Sequence, residues 1–330
     1  MPTNPHICLV ALTGFRIREP EMFALGMKLP GLASRANAIG ALPALGLLTL
    51  AAFTPERWST SYHEAPAVDD ALVQAIVAAH PTLVAVSALT ASVLEAYRLC
   101  DQLKTLGIPT VLGGLHATAL PDEAATHATA VVVGDGEPGW QTILDDAANG
   151  RLRKISTSDP FNLAHAPLPR LDLLPNRARP RYTLQTARGC PFACDFCAAS
   201  RLLGPFREKP IEAIKCELDA IRAHDPRAVI ELADDNTFAG RRDAGALLDT
   251  FARSGIRYFT EADWRIGERP EVLESLAASG CAQVLVGFES MVHVHAGMAA
   301  KRASFDRMAR AAERIQDAGV PVIACFIVGS

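Results

Sequence analysis

The hydrophobic pattern of the chain alternates between short apolar runs and longer stretches with helical spacing. In the first half, β-branched runs predict strands, and apolar residues three or four positions apart predict helices between them. The predicted strands are Ile7–Leu12, Leu83–Ser87, Thr110–Leu112 and Ala130–Val133, and the predicted helices are Leu45–Phe53, Ala91–Leu106 and Trp140–Ala148. Alternation of this kind predicts an α/β fold built on a parallel sheet.

The second half repeats the alternation with wider spacing. Its predicted strands are Tyr182–Thr186, Ala228–Leu232, Tyr258–Thr260, Gln283–Val286 and Val320–Val328, and its predicted helices are Pro210–Ala223, Ala244–Ser254, Pro270–Ala278 and Phe305–Ala318. Five strands of this type in sequence predict a β/α barrel or part of one.

A proline-rich segment separates the two halves. Residues 150–181 contain five prolines, at positions 160, 167, 169, 175 and 180, without a sustained period, which predicts a linker. The chain has 330 residues, more than the roughly 250 to 300 that one hydrophobic core usually serves. We therefore predict one domain over residues 1–149 and a second over residues 182–330.

Three closely spaced cysteines carry the strongest chemical signal. Cys190, Cys194 and Cys197 form a C-x-x-x-C-x-x-C loop directly after a predicted strand. Structural zinc sites and simple iron-sulfur electron carriers take four protein ligands, so three thiolates leave one metal position open. A zinc or redox loop is the alternative. We expect the other five cysteines to be small core residues: Cys8, Cys100, Cys216, Cys281 and Cys325.

The loop, with Phe196 just before its third cysteine, resembles the signature of the radical S-adenosylmethionine (radical SAM) enzymes. The resemblance implies a 4Fe-4S cluster on the three cysteines, with a free iron that binds the methionine part of SAM, and Phe196 against the adenine. By position it also places polar groups at the next strand ends near SAM: Asp234, Asp235, Glu261, Glu289 and Ser290. Of these, Glu289 lies in a G-x-E-S element. The alternative for Asp234 and Asp235 is a helix N-cap and turn.

Glycine and hydroxyl residues follow the predicted strands of the first half, where an open α/β sheet binds ligands. Over about residues 5 to 148 their order resembles the cobalamin-binding domain that precedes the radical SAM domain in one large subgroup. The residues that would contact cobalamin are Ser87, Thr90, Gly113, Gly114, His116, Gly134, Gly136 and Glu137. The glycines alone are explained equally well by tight turns.

A histidine ligand to cobalt is not expected from the motifs of this chain. None of its nine histidines lies two residues after an aspartate, as in the D-x-H-x-x-G motif of many cobalamin proteins. We expect His116 to pack or form hydrogen bonds at its strand end rather than to bind cobalt. A fold retained without the cofactor remains an alternative.

The resemblance implies a fold and a reaction. The fold is a Rossmann-like cobalamin-binding-type domain followed by a partial radical SAM barrel. The reaction is reductive cleavage of SAM to a 5'-deoxyadenosyl radical, with cobalamin serving C-methylation of an unactivated carbon. The alternatives are a cyclisation, oxidation or rearrangement by the same radical, and a truncated, non-catalytic cobalamin- or cluster-binding sensor or scaffold. The chain stops at Gly329-Ser330, before the sixth barrel strand that the family leads us to expect.

Charge and cysteine usage set the expected partners and location. The net charge of −4 and pI near 6.1 give no general attraction to nucleic acid or an anionic membrane. The apolar run Ala41–Phe53 is too short to span a bilayer, and clustered thiols fit a reducing compartment. We expect a cytoplasmic protein, a small-molecule substrate, and an electron donor such as flavodoxin or ferredoxin.

Overall fold

Two compact units make up the chain. The computed structural model describes residues 4–13, 20–28, 32–175, 179–192, 194–290 and 301–327. One unit comprises residues 1–161 and 167–181, and the other comprises residues 162–166 and 182–330. The predicted boundaries at 149 and 182 stay a prediction.

The first unit contains a six-stranded sheet and its helices. Its strands are β1 His6–Leu12, β2 Ser59–Ala65, β3 Leu83–Ser87, β4 Thr110–Gly113, β5 Ala130–Val133 and β6 Ile155–Thr157. Its helices are α1 Pro20–Gly26, α2 Leu32–Gly40, α3 Leu45–Phe53, α4 Asp70–Ala78, α5 Val93–Thr105, α6 Leu115–Ala119, α7 Pro121–His127 and α8 Trp140–Ala148. All strand pairs are parallel, in the order β2-β1-β3-β4-β5-β6.

Burial explains why these segments form strands and helices. Residues 7–10 of β1 are fully buried, as a strand covered on both faces requires. Helix α5 buries Val93, Ala96, Tyr97, Cys100 and Leu103, whose spacing of three and four places them on one helical face. These residues belong to a core cluster that also includes Val84 and Val86 of β3.

The second unit holds a five-stranded parallel sheet. The strands of this sheet are β7 Tyr182–Leu184, β10 Val229–Leu232, β11 Arg257–Asp263, β12 Cys281–Glu289 and β13 Val322–Phe326, and a separate pair consists of β8 Ala187–Arg188 and β9 Arg207–Glu208. Its helices are α9 Ala199–Leu202, α10 Ile211–His224, α11 Ala244–Ser254, α12 Pro270–Leu276 and α13 Phe305–Asp317. The sheet order β13-β12-β11-β10-β7 follows the chain, and β8 pairs antiparallel with β9 beside it.

Helix ends in this unit follow local rules. Helix α13 begins after Ser304, whose hydroxyl accepts the N–H of Arg307 at 3.4 Å, and helix α11 ends at Gly255 with φ of +66°. A left-handed residue after a helix is usually glycine, because any other side chain is strained there.

The predicted fold class is confirmed, but the structure also contains elements that were not predicted: α1, α2, β2, α4, α6, α7, β6, β8, β9 and α9. Strand β2 was missed because Ser59, Thr60 and Ser61 make it too polar at its start. The segment predicted to be a linker contains strand β6, which pairs with β5 at the sheet edge. Strand β6 has only three residues with mostly exposed side chains, so it is too short to show an alternating pattern.

The apolar segment before β2 is longer than predicted. Among the described residues, one stretch, Ala33–Phe53, has the length and composition of a membrane-crossing helix. In the structure it forms α2 and α3, and Leu47, Leu48 and Ala51 of α3 are buried. A core helix of a globular protein meets the same criterion, so the stretch is weak support for a membrane segment.

The cysteines outside the C-x-x-x-C-x-x-C loop divide into two groups. Cys8, Cys100 and Cys281 are buried as predicted, and burial raises the pKa of Cys100 and of Cys281 to about 12. Cys216 is exposed on α10 and Cys325 is only partly buried in β13, so the prediction of a core position is wrong for Cys216.

Candidate functional site

The cysteine loop, residues 190–197, leaves the sheet of the second unit through the β8–β9 pair. Gly189 precedes it with φ of +79°, and a Cβ there would lie 3.2 Å from the carbonyl oxygen of Gly204. The loop closes on itself where the N–H of Cys197 donates to the carbonyl of Cys194 at 3.1 Å. Glycine at 189 therefore lets the chain turn sharply into the loop.

The three predicted ligands lie within electrostatic range of one another. Cys194 is buried, and Cys190 and Cys197 are partly buried. The thiols of Cys190 and Cys197 both interact electrostatically with the Cys194 thiol. Burial raises the pKa of Cys190 and Cys194, and the positive charge of Lys301 opposes that rise at both. A nearby cation thus favours thiolates, the form that binds metal.

No three His, Cys, Asp or Glu side chains of the described residues converge on one point as ligands of a single metal ion. A 4Fe-4S cluster makes a different demand, because each thiolate binds a separate iron. Three thiols of one loop, two of which act electrostatically on the third, fit that demand.

Asp234 is an anchor for the chain leading to this loop, and its predicted contact with SAM stays a prediction. The side chain is 2% exposed and accepts the N–H groups of Thr186 at 2.7 Å and Ala187 at 2.9 Å. It also accepts the hydroxyls of Thr186 and Thr237. Burial raises its pKa, and these hydrogen bonds oppose the rise. A carboxylate so engaged fixes the path from β7 to the cysteines.

The two residues that follow Asp234 lie closer to the cysteines. Asp235 is partly buried and takes a hydrogen bond from the main chain of Gly189. Asn236 is 1% exposed, its Nδ2 donates to Asp263 Oδ2 at 2.9 Å, and its side chain bonds to Cys190. Its Oδ1 atom is buried without a hydrogen-bond partner. Such an acceptor is costly unless a ligand supplies a donor.

Asp263 and Arg265, at the end of β11, are site residues that the sequence reading missed. Arg265 Nε donates to Asp263 Oδ1 at 2.7 Å, and its guanidinium lies 4.2 Å from the ring centroid of Phe192 in the cysteine loop. Burial alone would raise the pKa of Asp263, but hydrogen bonds from Arg265 and Asn236 outweigh burial and lower it. The end of β11 is thus tied to the cysteine loop.

Glu289, at the end of β12, forms an ion pair that was also missed. Its Oε1 atom lies 3.0 Å from Lys301 Nζ, and both side chains are 14% exposed. Glu289 has φ of +65°, which is uncommon for a residue other than glycine. Lys301 carries no motif of its own, and only the folded chain brings it to Glu289.

The other predicted SAM residues take separate positions. Glu261 lies inside β11, partly buried, and its carbonyl accepts the N–H of Thr237 at 3.0 Å. Ser290 follows Glu289 directly and is partly buried, and its N–H donates to the carbonyl of Phe288. Phe196 is 42% exposed. An aromatic face left this open in the cysteine loop is free to stack on a planar ligand.

In the first unit, the carboxyl ends of β1 and β3 enclose a cavity of about 450 Å³. Its walls come from the ends of both strands, from α2 and from the chain after β3: Ala11, Leu12, Thr13, Ile39, Gly40, Leu42, Ala44, Ser87, Leu89, Ala91 and Ser92. Most of these side chains are apolar. Ser87 is the one predicted cobalamin contact that lines the cavity.

The glycines after β4 differ from each other. Gly114 has φ of +98°, and a Cβ there would lie 2.8 Å from the carbonyl oxygen of Ala88 and 3.0 Å from Ser87 Oγ. At Gly113 the sole neighbour within 4 Å would be Val132, at 3.9 Å. Glycine at 114 therefore lets two backbone segments approach closely, as expected of a glycine in a tight turn. At Gly113 there is open space beside the strand end.

His116 is 5% exposed, and its Nδ1 lies 3.1 Å from Thr90 Oγ1. Its Nε2 lies 3.5 Å from Glu123 Oε1. Its ring also meets Tyr97 edge to face. These contacts agree with the expectation that it packs and hydrogen-bonds at the strand end.

The predicted residues after β5 form a turn of their own. Gly134 has φ of +88° and donates its N–H to Thr118 Oγ1 at 3.0 Å. A Cβ on Gly136 would lie 3.4 Å from Leu50. The carbonyl of Glu137 accepts the N–H of Trp140, where α8 begins. A tight turn explains Gly134, while a Cβ on Gly136 would make only an ordinary contact.

Two family models match the chain in the order that the two units follow. The B12 binding domain matches residues 32–144, and the radical SAM superfamily matches residues 184–330. The chain therefore belongs to the radical SAM superfamily, in the cobalamin-dependent group whose members carry a B12 binding domain ahead of the radical SAM domain. The predicted family is confirmed, and its cofactors are the 4Fe-4S cluster, SAM and cobalamin.

Curated relatives include methyltransferases. Bacteriochlorophyllide d C-12(1)-methyltransferase of Chlorobaculum tepidum is 30% identical over 222 residues, which cover 63% of this chain and 48% of the relative. Hopanoid C-2 methylase of Rhodopseudomonas palustris is 28% identical over 265 residues, covering 76% of this chain and 49% of the relative. The chain thus spans about half the length of these relatives.

Solved structures agree on the fold. OxsB, a cobalamin-dependent SAM radical enzyme with aqua-cobalamin bound, matches with a TM-score of 0.76 and 16% identity, covering 98% of this chain and 49% of OxsB. The methyltransferase TsrM from Kitasatospora setae, with cobalamin and a [4Fe-4S] cluster bound, matches with a TM-score of 0.71 and 14% identity, covering 98% of this chain and 69% of TsrM. At these identities the likeness concerns the fold.

Proposed function

We propose that this chain binds a 4Fe-4S cluster, SAM and cobalamin, and that it methylates an unactivated carbon of a small molecule. When bound and reduced, the cluster and SAM supply the cleavage of a carbon–sulfur bond in SAM, and cobalamin supplies a carrier for the methyl group. The electron would come from a donor of the flavodoxin or ferredoxin type.

The observation that carries the proposal is the grouping of three thiols with Asn236 and Lys301. The thiols supply three ligands to a cluster and leave one iron free for SAM. Asn236 Oδ1 is a buried acceptor without a partner beside Cys190, and it suits the ammonium group of SAM, a donor that would satisfy it.

Other residues of the second unit would complete SAM binding. Asp235 and Glu289 supply carboxylates for the ammonium and ribose hydroxyls. Glu261 lies within β11, and Ser290 directly follows the neighbouring strand β12. The exposed ring of Phe196 offers a face for the adenine. Asp234 has no part in this set, because its side chain holds Thr186 and Ala187.

Cobalamin binding is proposed for the carboxyl edge of the first sheet. The cavity between β1 and β3 has apolar walls with Ser87 at its rim, and the space beside Gly113 is open. An apolar surface with few polar groups suits a large, mostly neutral ring system. Because the chain has no D-x-H-x-x-G motif, no histidine ligand to cobalt is assigned in this proposal.

The deciding experiment is anaerobic reconstitution with iron and sulfide, followed by electron paramagnetic resonance with and without SAM. We expect a reduced-cluster signal that SAM shifts, and release of methionine and 5'-deoxyadenosine. A variant with Cys190, Cys194 and Cys197 all changed to Ala should bind no cluster. Cys216→Ala is the matched control, because that thiol is exposed on α10 and should leave the signal unchanged.

Transfer of the methyl group is tested separately. SAM with a labelled methyl group is incubated with reconstituted, cobalamin-loaded protein, dithionite and a candidate substrate, and should give labelled methylcobalamin and then labelled product. Dithionite supplies the electrons that reduce cobalamin and cleave SAM. SAM cleavage without labelled product across substrates would favour a cyclisation, oxidation or rearrangement. A cluster that does not respond to SAM would favour a sensor or scaffold.

A further inference from the structure

The Glu289–Lys301 ion pair is held in place by its surroundings. A Cβ on Gly287 would lie 2.4 Å from Glu289 Oε1 and 3.3 Å from Lys301 Nζ, so glycine at 287 makes room for both charged groups. The carbonyl of Lys301 accepts the indole N–H of Trp264 at 2.9 Å, and Trp264 is 1% exposed. The pair therefore occupies a space that the fold reserves for it.

The backbone at Glu289 supports the same view. Its φ of +65° lies in the left-handed region, a strained conformation for a residue other than glycine that persists where the surroundings enforce it. At this point the pairing of β12 with β13 is irregular, and the Glu289 carbonyl accepts the N–H of Ile327 at 2.9 Å. The strained conformation brings the carboxylate to Lys301 instead of continuing the strand.

The surroundings of Lys301 are rich in negative groups. Its charge acts on the thiols of Cys190 and Cys194, while Asp235 acts on Cys190 and Glu289 on Cys194 with the opposite sign. Asp263 also lies within range of Lys301. Three thiolates would bring three more negative charges to this place, in a site where burial weakens screening by water.

We infer that Lys301 is a counter-charge that sets the reduction potential of the cluster, and that Glu289 limits its effect by pairing with it. The inference rests on the proposed function, since it needs a cluster on the three cysteines. Reduction adds one electron from a low-potential reductant, and the added negative charge is stabilised by a nearby cation. Lys301 would therefore make the cluster easier to reduce, and Glu289 would make it harder.

The test is a redox titration of the reconstituted cluster with dithionite, followed by electron paramagnetic resonance without SAM. Leaving SAM out removes any effect of Glu289 on SAM binding. We expect Lys301→Met to move the midpoint potential to a more negative value and Glu289→Gln to move it to a more positive value. Lys301→Arg keeps the charge and should lie closer to the wild type than Lys301→Met does.

The control is Arg253→Met, which changes the net charge by the same amount at an exposed position on α11 and should leave the potential unchanged. Iron content and circular dichroism verify that each variant is loaded and folded. If Lys301→Met loses the cluster, the positive shift expected of Glu289→Gln decides. Two variants shifted in the same direction, or loaded clusters that do not shift, would overturn the inference alone. A wild-type chain without a cluster would overturn the proposed function as well.

Discussion

The carboxyl edges of the two sheets differ in the chemistry that they offer. In the second unit, buried charged and polar side chains at neighbouring strand ends bond to one another and to the cysteine loop. In the first unit, the corresponding edge carries glycines, hydroxyls and an apolar cavity. Buried charges are costly without partners. The paired polar edge of the second unit therefore suits a small charged centre, and the apolar edge of the first unit suits a large neutral ligand.

The difference also concerns how each edge is held. In the second unit Asp234 collects two backbone N–H groups and two hydroxyls, so one side chain fixes the path to the cysteines. In the first unit the close approach of backbones at Gly114 fixes the turn after β4. Polar bonding therefore positions one edge, and backbone sterics position the other.

Asp234→Ala is expected to have the largest effect on stability, and it tests whether polar bonding positions the edge of the second sheet. The change leaves Thr186, Ala187 and Thr237 without their acceptor, and it removes one of the two carboxylates, Asp234 and Glu208, that act on Arg242. We expect the free energy of unfolding to fall by about 3 to 5 kcal/mol, the usual result of removing one partner of a buried charged network. Urea titration followed by circular dichroism measures it.

Asp249→Ala is the control for this change. Asp249 is exposed on α11, and its loss should change stability by less than about 0.5 kcal/mol. If Asp234→Ala were equally mild, the carboxylate would not be the anchor of the loop, and the predicted contact with SAM would regain support.

A smaller effect is expected at the first edge from matched glycine changes. Gly114→Ala places a Cβ against the Ala88 carbonyl at a φ of +98°, and we expect a loss of about 1 to 3 kcal/mol in unfolding free energy. Gly113→Ala meets Val132 at 3.9 Å, an ordinary contact, and should leave stability nearly unchanged. Equal losses at the two positions would contradict steric positioning of this turn.

Gly113 then tests the ligand instead of the fold. Gly113→Val extends side-chain atoms into the open space at the end of β4, so we expect cobalamin to bind at least about tenfold more weakly, or about 1.4 kcal/mol. Titration of the chain with hydroxocobalamin, followed by its visible spectrum, gives the dissociation constant. Unchanged affinity would place cobalamin away from this strand end.

The sequence predicted the elements of the second unit well, because its strands and helices have strong apolar patterns. It also singled out the three cysteines, whose spacing is local. Strand β2 was missed because its side chains are polar, and β6 because it is too short. Local patterns thus reveal elements whose own residues are apolar and buried. They miss polar or very short strands that form because they pair with a neighbouring strand.

The network around the cysteines was less accessible to sequence reading. Asp234, Asp235 and Asn236 are adjacent acidic or amide residues, and the register of one turn decides which is the buried anchor and which lies beside Cys190. Arg265 contacts Phe192, which lies far earlier in the chain, and Lys301 pairs with Glu289, 12 positions before it. Such contacts follow from sheet order, which no spacing along the chain encodes.

The smallest expected effect concerns how Arg265 connects β11 to the cysteine loop, and it depends on pH. Arg265→Met removes the bonds that lower the pKa of Asp263 and the stacking on Phe192. Arg265 is partly exposed, so near neutral pH we expect a loss of about 1 kcal/mol in unfolding free energy. Arg265→Lys keeps the charge but not the planar stack, and should lose less.

The pH dependence follows from the direction of the shift. In the wild type the folded pKa of Asp263 lies below its unfolded value, so its stabilising contribution is complete above the unfolded pKa and disappears as pH falls through the folded pKa. In Arg265→Met the hydrogen bond from Asn236 still opposes burial but the bonds from Arg265 do not, so the pKa of Asp263 rises and its protonation relieves part of the loss. The stability gap between the two proteins should therefore narrow on acidification below about pH 4. A gap independent of pH would mean that Arg265 acts through Phe192 alone, and that the second edge is held at this point by stacking instead of charge.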